Sequence, residues 1–199
     1  MAVDRGAQAK EHRHCVRDCE SRTEAITGKT EAMPLPDDVR TAEHVARVYD
    51  LLTRPCAEPP KNHSADEHPG QDFMLVVLRA SGEFWSHEWD DTDDFDEYYN
   101  SESNLIDAEY TALLAALTQE WGTPSTIDLE VFQPALVAQD PLPAVAEALI
   151  FDMGCHGAFP AWHRESRWIG ITQAQVGKEC SICLIAVITA DRIDHITAP

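Results

Sequence analysis

Residues 167–189 read RWIGITQAQVGKECSICLIAVIT and contain two strand-like runs separated by a short turn. The runs at residues 167–173 and 181–189 are rich in Ile, Val, Thr and Trp, which favour strands. Val176-Gly177-Lys178-Glu179 has the composition of a hairpin turn, and residues 161–165 add another run just before. The end of the chain is therefore predicted to form consecutive antiparallel hairpins.

An earlier apolar run, FMLVVL at residues 73–78, is typical of a strand that is covered on both faces. We expect this strand at the centre of the sheet. Ala80-Ser81-Gly82 is a plausible tight turn into residues 83–89, which would then pair with the first run as a hairpin. A further strand is predicted at residues 127–132.

Apolar residues spaced three or four apart predict helices between these strands. The first begins at residue 37 or 38 and ends before Pro55, the second is capped by Asn104 and ends at Gly122, and a short third is capped by Asp140. Helices mixed with consecutive hairpins indicate an α+β fold. We predict a single domain with a largely antiparallel mixed sheet of about five to six strands and about three helices packed on it.

The chain changes in composition after its first part. In residues 1–32 six basic residues balance six acidic ones, and large apolar side chains are nearly absent, so this part cannot bury much surface. We expect a flexible N-terminal extension at residues 1–36, followed by an acidic α+β domain at residues 37–199.

The formal net charge is -20, and such a field repels phosphate backbones and anionic lipids while attracting basic proteins. We therefore expect a basic protein partner, no direct nucleic-acid binding and no membrane association, and we leave the oligomeric state open. The chain has neither a leader-like start nor a run of about 18 apolar residues. These features predict a cytoplasmic protein with reduced thiols.

Histidines and cysteines occur in two groups of a kind that zinc can use. The first group is His12, His14, Cys15 and Cys19, and the second is Cys155, His156, Cys180 and Cys183. The first lies in the segment expected to be flexible, and strand alternation points Cys180 and Cys183 to opposite faces unless Cys180 lies in the turn. We predict no metal, no cofactor and no catalytic residues, and a zinc-binding or cysteine/histidine-dependent enzyme is the alternative function.

Residues 83–102, EFWSHEWDDTDDFDEYYNSE, combine many carboxylates with six aromatic residues. Such a set suits a basic protein surface, because the rings supply contact area and the charges accelerate and orient the encounter. Phe95, Tyr98 and Tyr99 are expected in an acidic loop or short turn. The predicted partner-binding residues are Trp89, Asp90, Asp91, Asp93, Asp94, Phe95, Asp96, Glu97, Tyr98 and Tyr99.

The leading hypothesis is a non-enzymatic acidic interaction protein that binds and neutralises a basic protein, as an immunity protein, an antitoxin or a DNA-mimic inhibitor does. A competing interpretation of residues 83–102 is a solvated acidic loop whose tyrosines fold back on the domain. A structural or assembly component, whose acidity serves only solubility, is the second alternative to the leading function.

Overall fold

The computed structural model describes residues 37–54, 67–69, 73–82, 84 and 92–195. The predicted extension at residues 1–36 lies outside them. All described residues belong to one compact unit, Pro36–Pro199. Its elements are α1 (Asp37–Thr53), β1 (Glu67–Pro69), β2 (Phe73–Ala80), α2 (Thr92–Trp121), β3 (Ser125–Asp128), a 3-10 helix (Leu129–Phe132), α3 (Gln133–Ala138), α4 (Ala144–Glu147), a π-helical turn (Ala148–Asp152), β4 (Ala158–Arg164), β5 (Arg167–Ala174), β6 (Cys183–Thr189) and a final 3-10 turn (Ile193–His195).

Six strands form one sheet in the order β1-β2-β6-β5-β4-β3, and every neighbouring pair is antiparallel. The predicted hairpins at the end of the chain are confirmed, since β5 pairs with β4 on one side and with β6 on the other. Glu165 and Ser166 join β4 to β5 with φ of 49° and 66°, the left-handed pair that a type I′ hairpin turn requires. The fold class is α+β with an antiparallel sheet, as predicted.

Both faces of the sheet are covered by helical elements. Val76 packs in a core with Leu113 of α2 on one face, whereas its neighbour Leu75 packs with Ile185 and Leu149 on the other. Adjacent strand residues point to opposite faces, so an all-apolar strand is fully buried only when other elements pack on both faces of the sheet. The expectation that residues 73–78 are covered on both faces is confirmed.

The position of β2 in the sheet differs from the expectation. It has β6 on one side and the three-residue strand β1 on the other, so it lies next to the edge. The N–H of Ser81 donates to the carbonyl of Ile182 at 2.9 Å, and the N–H of Phe84 donates to the carbonyl of Glu179 at 3.2 Å. The described residues that follow β2 therefore bond to the distant β5–β6 hairpin. Residues 83 and 85–89 of the predicted second strand lie outside the described residues, so the pairing of that strand with β2 stays a prediction.

Helix α2 begins at Thr92, twelve residues before the predicted cap at Asn104. The prediction of a loop around Phe95, Tyr98 and Tyr99 is therefore wrong, because these residues lie within the helix. Their spacing of three and four continues the apolar stripe of its second half. A capping side chain contributes only about 1 kcal/mol, less than three half-buried rings at roughly 25 cal/mol per Å² of apolar surface.

Two further boundaries differ from the prediction. Strand β3 ends at Asp128, whose side chain accepts a hydrogen bond from the N–H of Glu130 at 2.9 Å and so favours the 3-10 helix that follows. The last predicted helix begins at Ala144, not directly after Asp140. No helix in the described part of the chain has the length and apolar content needed to cross a membrane.

Candidate functional site

The structure divides the predicted partner-binding residues into four groups. Trp89, Asp90 and Asp91 lie outside the described residues, and Asp93 is described only as part of the α2 backbone. Asp94, Asp96 and Glu97 are exposed on the first turns of α2, whereas Phe95, Tyr98 and Tyr99 are half-buried. Within the described part of this set, the carboxylates rather than the rings face solvent.

The half-buried rings of α2 surround Phe84, whose side chain is fully buried. The ring centroid of Phe84 lies 6.2 Å from that of Phe95, 5.7 Å from that of Tyr98 and 5.0 Å from that of Tyr99. Phe95 also stacks on Tyr99 at 6.0 Å. Aromatic pairs at these distances contribute about 0.5–1.5 kcal/mol each beyond their burial. These contacts therefore pack the acidic end of α2 against the core.

Hydrogen bonds join the same end of α2 to the tip of the β5–β6 hairpin. The hydroxyl of Tyr99 donates to Gln175 Oε1 at 2.9 Å, and Gln175 Nε2 donates to the carbonyl of Cys180 at 2.9 Å. A Cβ added to Gly82 would lie 2.4 Å from the hydroxyl oxygen of Tyr98, so the chain approaches the helix closely there. Burial, and next the negative charge of Glu102, raise the pKa of Tyr98. The acidic turns are thus held in a fixed orientation.

A buried charge cluster lies at the other half of α2, centred on Glu109. One carboxylate oxygen, Oε1, accepts from Arg40 at 2.6 Å and also from Arg79, and Oε2 lies 3.1 Å from His44 Nε2. Burial, followed by the positive charge of Arg79, lowers the pKa of His44. The imidazole is therefore neutral at neutral pH and donates its Nε2 hydrogen to the Glu109 carboxylate.

The Glu109 cluster connects three elements of the domain and so has a structural role. Its side chains come from α1, β2 and α2, and both carboxylate oxygens have protein partners. Trp121 Nε1 donates to Tyr49 Oη at 2.7 Å and gives a second contact between α1 and α2. Sequence reasoning missed the cluster, although Glu109 stands three residues after Ile106, on the apolar stripe, where a carboxylate needs a buried partner.

The cysteine and histidine residues of the alternative function do not form a metal site among the described residues, where no group of three or more potential metal ligands occurs. His12, His14, Cys15 and Cys19 lie outside that part. Cys155 is buried, and its surroundings, burial first and Cys183 second, raise the pKa of its thiol to about 12. A thiol with this pKa is protonated at neutral pH and is a poor nucleophile.

Carboxylates dominate the exposed charges at the end of the domain where α2 begins. Asp94, Asp96 and Glu97 on α2, Glu179 at the hairpin tip and Asp152 on the opposite layer are all exposed, together with Lys178. The arrangement can attract and orient a cationic surface. Comparisons with protein-family models, with curated proteins and with solved structures give no significant match to this chain.

Proposed function

We propose that this protein is a non-enzymatic acidic interaction protein that binds and neutralises a basic protein, in the manner of an immunity protein, an antitoxin or a DNA-mimic inhibitor. The observation that carries the proposal is the display of Asp94, Asp96 and Glu97 on helical turns whose inner side is fixed by packed rings and a hydrogen bond to the β5–β6 hairpin. The formal net charge of -20 also favours the attraction of a basic protein.

A rigid display favours binding because the carboxylates do not need to be ordered when the partner arrives. Their place at the start of a helix also lowers the free energy of holding negative charge there, since the N-terminal end of a helix carries partial positive charge. The complementary charges raise the association rate with a basic surface and reject an acidic one. Nucleic acid is a disfavoured ligand for the same reason.

The test compares three immobilised proteins as bait: wild type, the triple variant Asp94→Asn/Asp96→Asn/Glu97→Gln, and a control variant Glu130→Gln/Asp140→Asn/Glu147→Gln. Each variant removes three negative charges, and all six positions are exposed, so overall charge is matched. We expect a basic protein to be retained by wild type and control but lost by the triple variant. With the purified partner, the association rate constant should fall about tenfold or more in the triple variant alone.

Neutralisation is measured separately, by adding the wild-type chain to the purified partner and following the partner's own activity. We expect activity to fall in proportion to the complex formed and to be restored by salt, because screening weakens the attraction. Equal retention of the partner by all three baits, or full activity in the complex, would contradict the proposal. A homo-oligomer that retains no basic protein would favour the structural or assembly role instead.

A further inference from the structure

The tip of the β5–β6 hairpin is in direct backbone contact with the loop that precedes β4. Gly154 has φ of +68°, and a Cβ added there would lie 2.4 Å from the carbonyl oxygen of Gln175 and 2.8 Å from the Cα of Val176. Because these neighbours are backbone atoms, the contact requires glycine. The layer containing the π-helical turn therefore meets the hairpin tip at this point.

Two large apolar side chains are exposed beside this contact. Val176 is 47% exposed and Phe151 is 58% exposed. Phe151 lies three residues before Gly154, a span of at most about 11 Å of chain. The backbone of Gly154 in turn lies close to that of Gln175 and Val176. Apolar side chains that different segments bring to one exposed location are typical of an interaction site.

Exposed carboxylates occur on the segments that meet at this end of the domain. Among the exposed side chains of residues 94–97, 151–156 and 176–179, carboxylates outnumber the one ammonium group five to one, alongside the imidazole of His156. Tyr99 places α2 beside Gln175 through its hydrogen bond, and Asp96 lies one helical turn before Tyr99. The apolar pair and the acidic turns of α2 thus belong to the same end of the domain.

We propose that Phe151, Val176 and the exposed carboxylates at this end of the domain form a docking surface for a basic protein segment that carries apolar side chains between its lysines or arginines. The inference rests on the proposed function and adds where the partner binds and what it must contain. A second copy of this chain is a poor occupant, because the two surfaces would meet with like charge. The apolar contacts slow dissociation, whereas the carboxylates speed association.

The test uses two synthetic peptides of equal length and equal positive charge as probes. One alternates lysine with leucine and phenylalanine, and the other alternates lysine with serine. Fluorescence anisotropy gives the dissociation constants for wild type, for the docking variant Phe151→Ser/Val176→Ser, and for a control variant Val131→Ser/Val137→Ser. The control removes two apolar side chains that are 50% and 84% exposed on the 3-10 helix and α3.

We expect wild type and the control to bind the apolar basic peptide about tenfold or more tightly than the serine peptide, since burying two such side chains accounts for that difference. The docking variant should bind both peptides equally. Amide chemical shifts in the wild-type protein should change at residues 151–154 and 176–179 when the apolar peptide is added, which locates the site without relying on a variant.

The outcomes separate the two proposals. Equal binding of both peptides by wild type, or a preference that persists in the docking variant, overturns the docking surface and leaves the acidic interaction function in place. Absence of binding to either peptide at low salt overturns both proposals. Circular dichroism of each variant shows whether the fold is retained, and shift changes confined to other residues overturn the docking surface even if a variant fails to fold.

Discussion

Replacing the buried carboxylate of Glu109 tests whether the cluster around it holds α1, β2 and α2 together. Glu109→Gln keeps the shape of the side chain but removes its charge, which leaves Arg40 and Arg79 without their shared counter-ion. Their side chains are 26% and 17% exposed, and that of Glu109 is 6% exposed. Breaking a buried ion pair costs roughly 3–5 kcal/mol. Because water reaches part of Arg40, we expect the lower end, about 3 kcal/mol of unfolding free energy.

The assay is urea denaturation followed by tryptophan fluorescence, with thermal unfolding as a second measurement. In a domain of this size a loss of about 3 kcal/mol lowers Tm by roughly 6–12 °C. Asp50→Asn is the matched control, since it breaks an exposed pair with Arg54 on α1 whose contribution is about 0.5 kcal/mol or less. A loss in Glu109→Gln below about 1 kcal/mol, or no larger than that of the control, would refute the reasoning.

Three further predictions concern single residues. Burial and the charge of Arg79 lower the pKa of His44 in the folded protein. As the pH falls through about 6.5, His44 therefore takes up a proton in the unfolded chain but not in the folded one, and the unfolding free energy should decline. The decline should be less steep in His44→Gln. If the unfolding free energy of wild type and of His44→Gln fell equally with pH in acid, this prediction would be wrong. The thiol of Cys155, with its pKa raised to about 12, should resist iodoacetamide at pH 8 in the native protein and react in guanidinium. Peptide mapping by mass spectrometry measures the modification. Modification of Cys155 in the native protein would contradict a buried, protonated thiol. Gly154→Ala should lower stability by about 2–4 kcal/mol, because the left-handed backbone and the crowding both oppose a side chain. Gly157→Ala, also left-handed but with open space around it, should lose only about 1–2 kcal/mol in the same denaturation experiment, and equal losses would mean that crowding does not matter.

The end of the chain was predictable because its signals are local. Strand formers and a four-residue turn follow each other between residues 161 and 189, and the observed strands β4, β5 and β6 match that pattern. Helix α1 was predictable for the same reason, since its apolar spacing and the Pro55 stop lie within one short window. The covered faces of β2 also followed from its unbroken apolar run.

The candidate site was only partly predictable. The carboxylates of Asp94, Asp96 and Glu97 were identified from composition. The structure places all three on exposed turns of α2, and their role in partner binding stays a prediction. The position of the rings was not predicted, because the longer helix depends in part on packing of Phe95 against Phe84, which comes from a separate segment. A capping preference at Asn104 is too small to outweigh such packing.

The amino-acid sequence by itself determined the acidity of this protein, its α+β class and its hairpin-rich end, because charge, periodicity and turn chemistry act over a few neighbouring residues. Only the tertiary structure decided that β6 pairs with β2, that Glu109 is enclosed by α1 and β2, and that Phe151 and Val176 lie at one end of the domain. These arrangements depend on residues far apart in the chain. Their free energies come from burial and ion pairing that exist only after the layers meet.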